Sequence, residues 1–309
     1  MSLKTLKEKI NGIKKTSKVT KAMESISAIK MRHAQKKALS GRYYAFQVFS
    51  ILQRLSRLVG SKIDKAFSST SAVKGKNIIL LISPDKGLSG GMNNFLFKKV
   101  DKIINKFNFN KENLSFVCVG KKGQKYIEKK DYKIEKYFEN IGEKSPQEEV
   151  KRVSDYLEEL YREEEISQII VIYTNFINTT EQKPVFRVIL PIVYKEMKLF
   201  MKAILPTKGK YSDSERIDIE NDNIESYLFE PNIETVIKSL IPFILNILVY
   251  YSLLESYASE HSARMIAMKN ATDKAGELAE KTRKKYNKER QAQVTTEISE
   301  IVSGMEAMK

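Results

Sequence analysis

The last fifty-odd residues, from Leu254 to Met308, contain no proline and only two glycines, Gly276 and Gly304. The stretch is therefore predicted to form one continuous helix. At about 1.5 Å per residue it would reach about 80 Å, longer than a small domain is wide, so most of it has no core of its own to bury in. It needs something to lean on. Its final turns carry Val294, Ile298, Ile301, Val302 and Met305 at steps of four, three, one and three, a narrow apolar stripe at helical spacing. Immediately before the stripe lies KTRKKYNKER, Lys281 to Arg290, a basic collar.

The other end of the chain has a segment of the same kind. Leu3, Leu6, Ile10 and Ile13 step by three, four and three, and after a phase shift of one residue Val19, Ala22, Ile26, Ile29 and His33 continue by three, four, three and four. Tyr44, Val48, Ile51, Leu55 and Leu58 take up the seam again, with Gly12 and Gly41 as weak points. Two long helices with narrow stripes, neither able to cover its own, pair most simply as an antiparallel coiled coil. The residues between them then form a separate body.

A length of 309 residues allows two domains, and 42% hydrophobic residues suffices for a packed core. The single cysteine, Cys118, excludes an intrachain disulfide framework; lying in an apolar run, it is expected to be a buried thiol in a reducing, cytosol-facing compartment. The formal net charge of +16 is unevenly placed: residues 1–50 hold 12 Lys and Arg against 2 acidic residues, or +10. Such a helix asks for an acidic partner. Nucleic acid fits less well, because the basic stretches lack interleaved aromatics and show no zinc-finger, RRM or bZIP pattern. The opening MSLKTLKEKI is polar, unlike a secretion signal. The most apolar window, Leu240 to Leu254, is too short for a bilayer and interrupted by Pro242 and Asn246, so it reads as a buried helix leading into the long one. Membrane association is expected only through partners.

In the middle of the chain, short apolar runs alternate with amphipathic stretches. Asn77–Ser83, Leu114–Val119 and Gln168–Tyr173 read as strands, with a fourth at Val185–Val193; Met92–Lys106, Lys121–Lys130 and Pro146–Glu163 read as helices. Strands apolar on both faces and alternating with helices predict a doubly wound, mostly parallel α/β sheet. Gly87, Gly90 and Gly91 follow the first strand, but the spacing is not that of a dinucleotide or P-loop turn, and the plainer reading is a tight turn needing positive φ. His33 and His261 stand on long helices without a nucleophile or metal-spaced neighbour, so no catalytic, cofactor or metal site is expected. Lys208–Asn223 is the most polar stretch and reads as an exposed loop, after which YLFEP, Tyr227 to Pro231, leads into the final helix.

These segments resemble the gamma subunit family of the F-type ATP synthase. The residues that carry the resemblance are KVTKAMESISAIKMR (Lys18 to Arg32), SPDKGLSGGMN (Ser83 to Asn93), YLFEP, SARMIAMKNATDKA (Ser262 to Ala275) and YNKERQAQVTTEISEIVSG (Tyr286 to Gly304). The resemblance implies an antiparallel coiled coil of N- and C-terminal helices, over residues 1–66 and 231–309, with an inserted Rossmann-like foot over 67–230. It implies a non-catalytic rotor shaft that couples ion-driven c-ring rotation to conformational change in catalytic beta subunits. Partners would be the alpha and beta subunits of the hexamer, the epsilon subunit and the c-ring, with no nucleic acid and the membrane reached only through the c-ring. The location would be the cytoplasmic face of a bacterial plasma membrane.

By the same matching, Arg290 and Gln291 correspond to a catch contact with a beta-subunit loop, and Met23 with Lys18, Lys21 and Lys30 faces beta's acidic lever. Val294, Ile298, Ile301, Val302 and Met305 form an apical bearing, and Tyr227, Phe229 and Glu230 belong to the foot. The ending GMEAMK departs from the family's usual run of small residues, which bears on the fit of the tip. Two alternatives stand beside this reading: a basic coiled-coil adaptor for nucleic acid or an anionic surface, and the rotor of a diverged F-like motor.

Overall fold

A computed structural model describes residues 2–59, 75–139, 146–162, 166–191, 230 and 232–308. The elements in chain order are α1 (Leu3–Val59), β1 (Lys76–Ile82), α2 (Met92–Lys106), β2 (Leu114–Val119), α3 (Lys121–Glu128), β3 (Lys133–Phe138), α4 (Pro146–Arg162), β4 (Ile166–Phe176), β5 (Gln182–Leu190) and α5 (Ile233–Ala307). They form two compact units, one of residues 1–29 with 264–309 and one of residues 30–263. Each long helix thus contributes to both.

The larger unit is built on a sheet of order β3-β2-β1-β4-β5, in which β1 to β4 run parallel and β5 closes one edge antiparallel to β4. Strand side chains alternate between two cores. Ile79, Leu81, Phe116 and Cys118 pack with Leu96 and Val100 of α2 and Ile127 of α3. Ile78, Leu80, Val117 and Val171 pack with Val153 and Leu157 of α4, Val48 of α1, and Leu245 and Leu248 of α5. Both faces are covered, which is why the central strands read as unbroken apolar runs. Cys118 lies in this interior, where burial pushes its thiol up to about 12.

Strand β3, KIEKYF, escaped the sequence reading because it is an edge strand whose residues are exposed or half-buried up to the buried Phe138, with lysine and glutamate between. The glycine-rich turn after β1 has Leu88 at φ 65° and Gly90 at φ 60°. The tightest approach is elsewhere. Gly120, at φ 89°, brings its α-carbon so near β1 that an added Cβ would stand 1.9 Å from the Ser83 carbonyl oxygen. Ser83 Oγ accepts the Gly123 N–H at 2.7 Å, and Asp85 Oδ1 accepts the Lys121 N–H at 2.9 Å at the start of α3.

Helix α5 starts where Asn232 Oδ1 accepts the Thr235 N–H at 2.8 Å, an N-cap. It continues through Pro242 and Asn246 rather than stopping. A proline inside a helix costs about 3 kcal/mol; the buried run Ile244, Leu245, Ile247, Leu248 and Val249 outweighs it, and Asn246 Nδ2 donates to Ser154 Oγ at 3.1 Å. By length and composition alone α5 could cross a bilayer, but its apolar run is taken up by the sheet's core.

In the smaller unit, α1 and α5 pair antiparallel, with Thr20 Oγ1 and Thr272 Oγ1 2.7 Å apart. Counting outward residue for residue, Leu6 comes level with Tyr286 and Ile10 with Thr282. The seam of α1 departs from expectation here. There is no phase shift: after Leu6, Ile10 and Ile13 the covered positions are Ser17, Thr20, Ser27 and Met31, at heptad spacing in the original phase. Val19, Ile26 and Ile29 are 59%, 55% and 64% exposed, and His33 is exposed as well. By the same count Ala275 comes level with Ser17, Ala279 with Ile13 and Thr282 with Ile10, so these seam positions of α1 meet small residues of α5. Farther along α1, Val48 is buried while Tyr44 and Ile51 are exposed.

The linker at Ser68–Gly75 lies outside the described residues except for Gly75, as do the Lys208–Asn223 loop and the Pro231 start signal.

Two sets of substitutions test these assignments by chemical unfolding. Leu6→Ala should destabilise the chain by about 2–4 kcal/mol and Ile26→Ser by no more than about 0.5 kcal/mol; equal losses would restore the shifted seam. Gly120→Ala should cost about 3 kcal/mol or more, since it combines a clash with backbone and an unfavourable φ.

Candidate functional site

The described surface that most needs a partner is the end of α5. From Asn287 to Met308 every residue is exposed. The register explains this, because Leu3 comes level with Glu289 and α1 begins there. Beyond that point α5 has no helix beside it among the described residues of the smaller unit. At about 100° per residue, Val294, Ile298, Ile301, Val302 and Met305 fall within an arc of about 100°. The stripe predicted from the sequence is therefore one face, with Ile298, Ile301 and Met305 at 56%, 64% and 59% exposure.

Some polar side chains of these turns bond within the helix. Thr295 Oγ1 donates to the Gln291 carbonyl at 2.9 Å, Thr296 Oγ1 to the Ala292 carbonyl at 3.0 Å, and Gln293 Nε2 to Glu297 Oε1 at 2.9 Å. Thr296 and Gln293 lie away from the stripe, whose own arc from Val294 to Met305 offers apolar contact. Arg290 and Gln291 stand at the base of the same face, both exposed, and neither side chain bonds another described residue. Below them Lys281, Arg283, Lys284, Lys285 and Lys288 are exposed, with Lys284 held 3.2 Å from Glu280.

A second surface lies on α1. Val19, Ala22, Ile26 and Ile29 share an outward arc of about 80°, with Lys18 and Lys30 exposed beside it. Met23 is half-buried between this arc and the seam. Lys21 points elsewhere on the helix and pairs with Glu24 at 3.1 Å. By the one-for-one register the nearest apolar residues of the two surfaces, Val19 and Val294, are separated along the coil by about 30 Å. They are two sites. The outward stripe on α1 was misread as seam; the available signal was the unbroken heptad phase through Ser17, Thr20 and Ser27, hidden because those residues are polar.

Of the residues expected in the foot, Glu230 is exposed, and Tyr227 and Phe229 lie outside the described residues. Among the described residues no group of His, Cys, Asp and Glu is arranged to hold a metal ion. His33 is exposed and His261 half-buried.

Since Ile298 and Ile301 are 56% and 64% exposed, replacing both with serine should change the unfolding free energy of the isolated chain by less than about 1 kcal/mol. The same change should weaken capture of whatever binds the tip. A large loss of stability would mean that the stripe is covered by this chain.

Comparison with known proteins returns a coherent set. A family model described as ATP synthase matches residues 2–308. The ATP synthase gamma chain of Histophilus somni (strain 2336) is 35% identical over 306 residues, covering 99% of both chains. That of Chlorobium chlorochromatii is 32% identical over 310 residues, covering 99% of both. Among solved structures, a chain of the Euglena gracilis mitochondrial ATP synthase (OSCP/F1/c-ring) aligns with a TM-score of 0.65 at 17% identity, covering 99% of this chain and 94% of that one. A chain of the Tetrahymena thermophila mitochondrial ATP synthase central stalk and c-ring aligns at 0.59 and 22% identity, covering 82% and 99%.

Proposed function

The chain belongs to the ATP synthase gamma-chain family, and from that premise we propose that it is the central rotor shaft of a rotary F-type ATP synthase. The observation that carries the reading furthest is the end of α5: a helix extended past its coiled-coil partner, apolar on one face, with its threonines bonded inward. A shaft turning in a collar needs contact without fixed bonds, and this surface supplies it.

Within that reading the roles divide by site. Val294, Ile298, Ile301, Val302 and Met305 are the bearing in the apical collar of alpha and beta subunits. Arg290 and Gln291 are the catch, where a guanidinium and an amide meet carboxylate or hydroxyl groups of a beta loop at one rotary position. Lys18, Lys30 and the half-buried Met23, with the apolar arc beside them, face an acidic amphipathic segment of beta; Lys21, already paired with Glu24, is the least available of the four. Tyr227, Phe229 and Glu230 belong to the foot, which meets epsilon and the c-ring. The chain itself is non-catalytic, and the complex sits at the cytoplasmic face of a bacterial plasma membrane.

The shaft acts by offering each beta subunit different contacts at each angle. To move a two-state subunit from 1:99 to 99:1 takes about 5.5 kcal/mol of differential contact energy. At about 25 cal/mol per Å² that corresponds to about 220 Å² of apolar surface covered at one angle and not at another. An arc of four apolar side chains on α1 is of that order. The adaptor reading is not favoured: a family match over residues 2–308 leaves no segment outside the gamma-chain pattern on which to found a separate binding activity.

The direct test is to tag the chain in its own cells, solubilise the membranes gently and quantify what accompanies it. Alpha and beta subunits in about threefold excess, with epsilon and a c-ring, are expected; nucleic acid or unrelated proteins alone would overturn the proposal. Truncation after Gln291 should leave the complex assembled and lower ATP-driven ion pumping relative to ATP hydrolysis. Unchanged coupling would remove the bearing from the account.

A further inference from the structure

Residues 252–262 of α5 meet the sheet through side chains that are mostly small and polar. Ser259 Oγ donates to the Thr174 carbonyl at 3.0 Å, and Ser262 Oγ donates to the Thr179 carbonyl at 2.6 Å. One face of α5 is thereby fastened to the end of β4 and to the turn that leads into β5. Glu255 lies on the same face, one turn before Ser259.

Glu255 is an unusual residue to find in that row. As a residue it is only half-buried, yet its Oε2 is closed off from solvent and has no hydrogen bond of good geometry. The same is true of the hydroxyl of Tyr173, wholly buried on β4, and of Nε of Arg187 on β5. Polar atoms so placed are rare in folded proteins and call for a reason. Tyr173 from β4 and Arg187 from β5 are the titratable groups that act on the carboxyl among the described residues. Burial raises it to about 8, the Tyr173 hydroxyl and the Arg187 charge opposing the rise. It is the carboxyl's own surroundings, not the exposure of the rest of the side chain, that set this. At neutral pH Glu255 is uncharged, and the interface tolerates it on that condition.

We propose that Glu255 is a positioning residue: with Ser259 and Ser262 it seats α5 on the β4–β5 hairpin, so that sheet and helix turn together, and the seat loosens when Glu255 carries a charge. The part about turning rests on the rotor reading above; the seat itself does not. A charged carboxylate there would lie in a spot closed to water, a desolvation that the nearby Arg187 charge only partly offsets. Because the seated carboxyl holds its proton up to about pH 8 and a released one only to the ordinary glutamate range, the seated state binds more protons between those limits. The seat is therefore strongest at acid pH, weakens by about tenfold per pH unit as pH rises through that window, and levels off above about pH 8.

The test uses the full chain and the assembled complex, each with wild-type sequence and with Glu255→Gln, which keeps the shape and removes the charge. In the full chain, amide hydrogen-exchange protection of residues 252–262 should fall between pH 5 and 8 in wild type and stay flat in the variant. In the assembled complex in vesicles, ion pumping per ATP hydrolysed should fall several-fold between pH 6.5 and 8.5 in wild type, and Glu255→Gln should remove that dependence. Superimposable exchange profiles would overturn the seat. A pH-dependent exchange profile with identical pumping ratios would overturn the positioning role. Failure to isolate any complex would instead count against the rotor reading, and the exchange comparison would still decide the seat.

Discussion

Everything in the smaller unit depends on two helices lying close enough together for Thr20 and Thr272 to touch through their hydroxyls. Along the seam Ser17 comes level with Ala275 and Ile13 with Ala279, so at these levels at least one of the two partners is small. A seam of large residues would bury more apolar area but hold the helices farther apart. Leu6 and Met268 are buried within the paired region, while Val19, Ile26 and Ile29 lie off the seam on the outside of α1. The same choice that fixes the pairing therefore creates the exposed arc at Val19, Ile26 and Ile29. Where α1 starts, pairing stops, and the last turns of α5 are left with an uncovered face for the same reason.

The larger unit solves a different problem. Its parallel strands are sealed on both faces, and α5 supplies part of one cover through Ile244 to Leu253 before it runs on into the coiled coil. One helix thus belongs to a rigid core at one end and is bare at the other. The change in its surroundings is gradual: large apolar side chains against the sheet, then serines bonded to the hairpin, then small seam residues, then solvent. The serine-rich segment is where the sheet's hold on the helix ends, which is why a single carboxyl there matters.

Much of this was legible in the chain itself. Helix α2 and strand β2 were bounded correctly, since Leu96, Val100, Ile103 and Ile104 repeat at helical spacing and LSFVCV is apolar throughout. The stripe from Val294 to Met305 was legible because nothing competes with it. Two features were not. Strand β3 lacks the apolar run by which the others are recognised, because an edge strand has only one neighbour to satisfy. The seam of α1 is hard to read from periodicity because Ser17, Thr20 and Ser27 lie in it while Val19, Ile26 and Ile29 face outward, so hydrophobicity alone points to the wrong side. Glu255 left no signal at all, since a carboxyl's burial depends on strands that pack against it from about eighty residues away in the chain.

The central claim is that this chain turns inside its complex, and rotation can be watched directly. The assembled complex would be fixed to a surface through its catalytic subunits and a label attached to an exposed residue of the larger unit, such as Lys98. The account predicts that the label turns in one direction while ATP is hydrolysed, and stops when hydrolysis is inhibited. Sustained hydrolysis with the label stationary would contradict it.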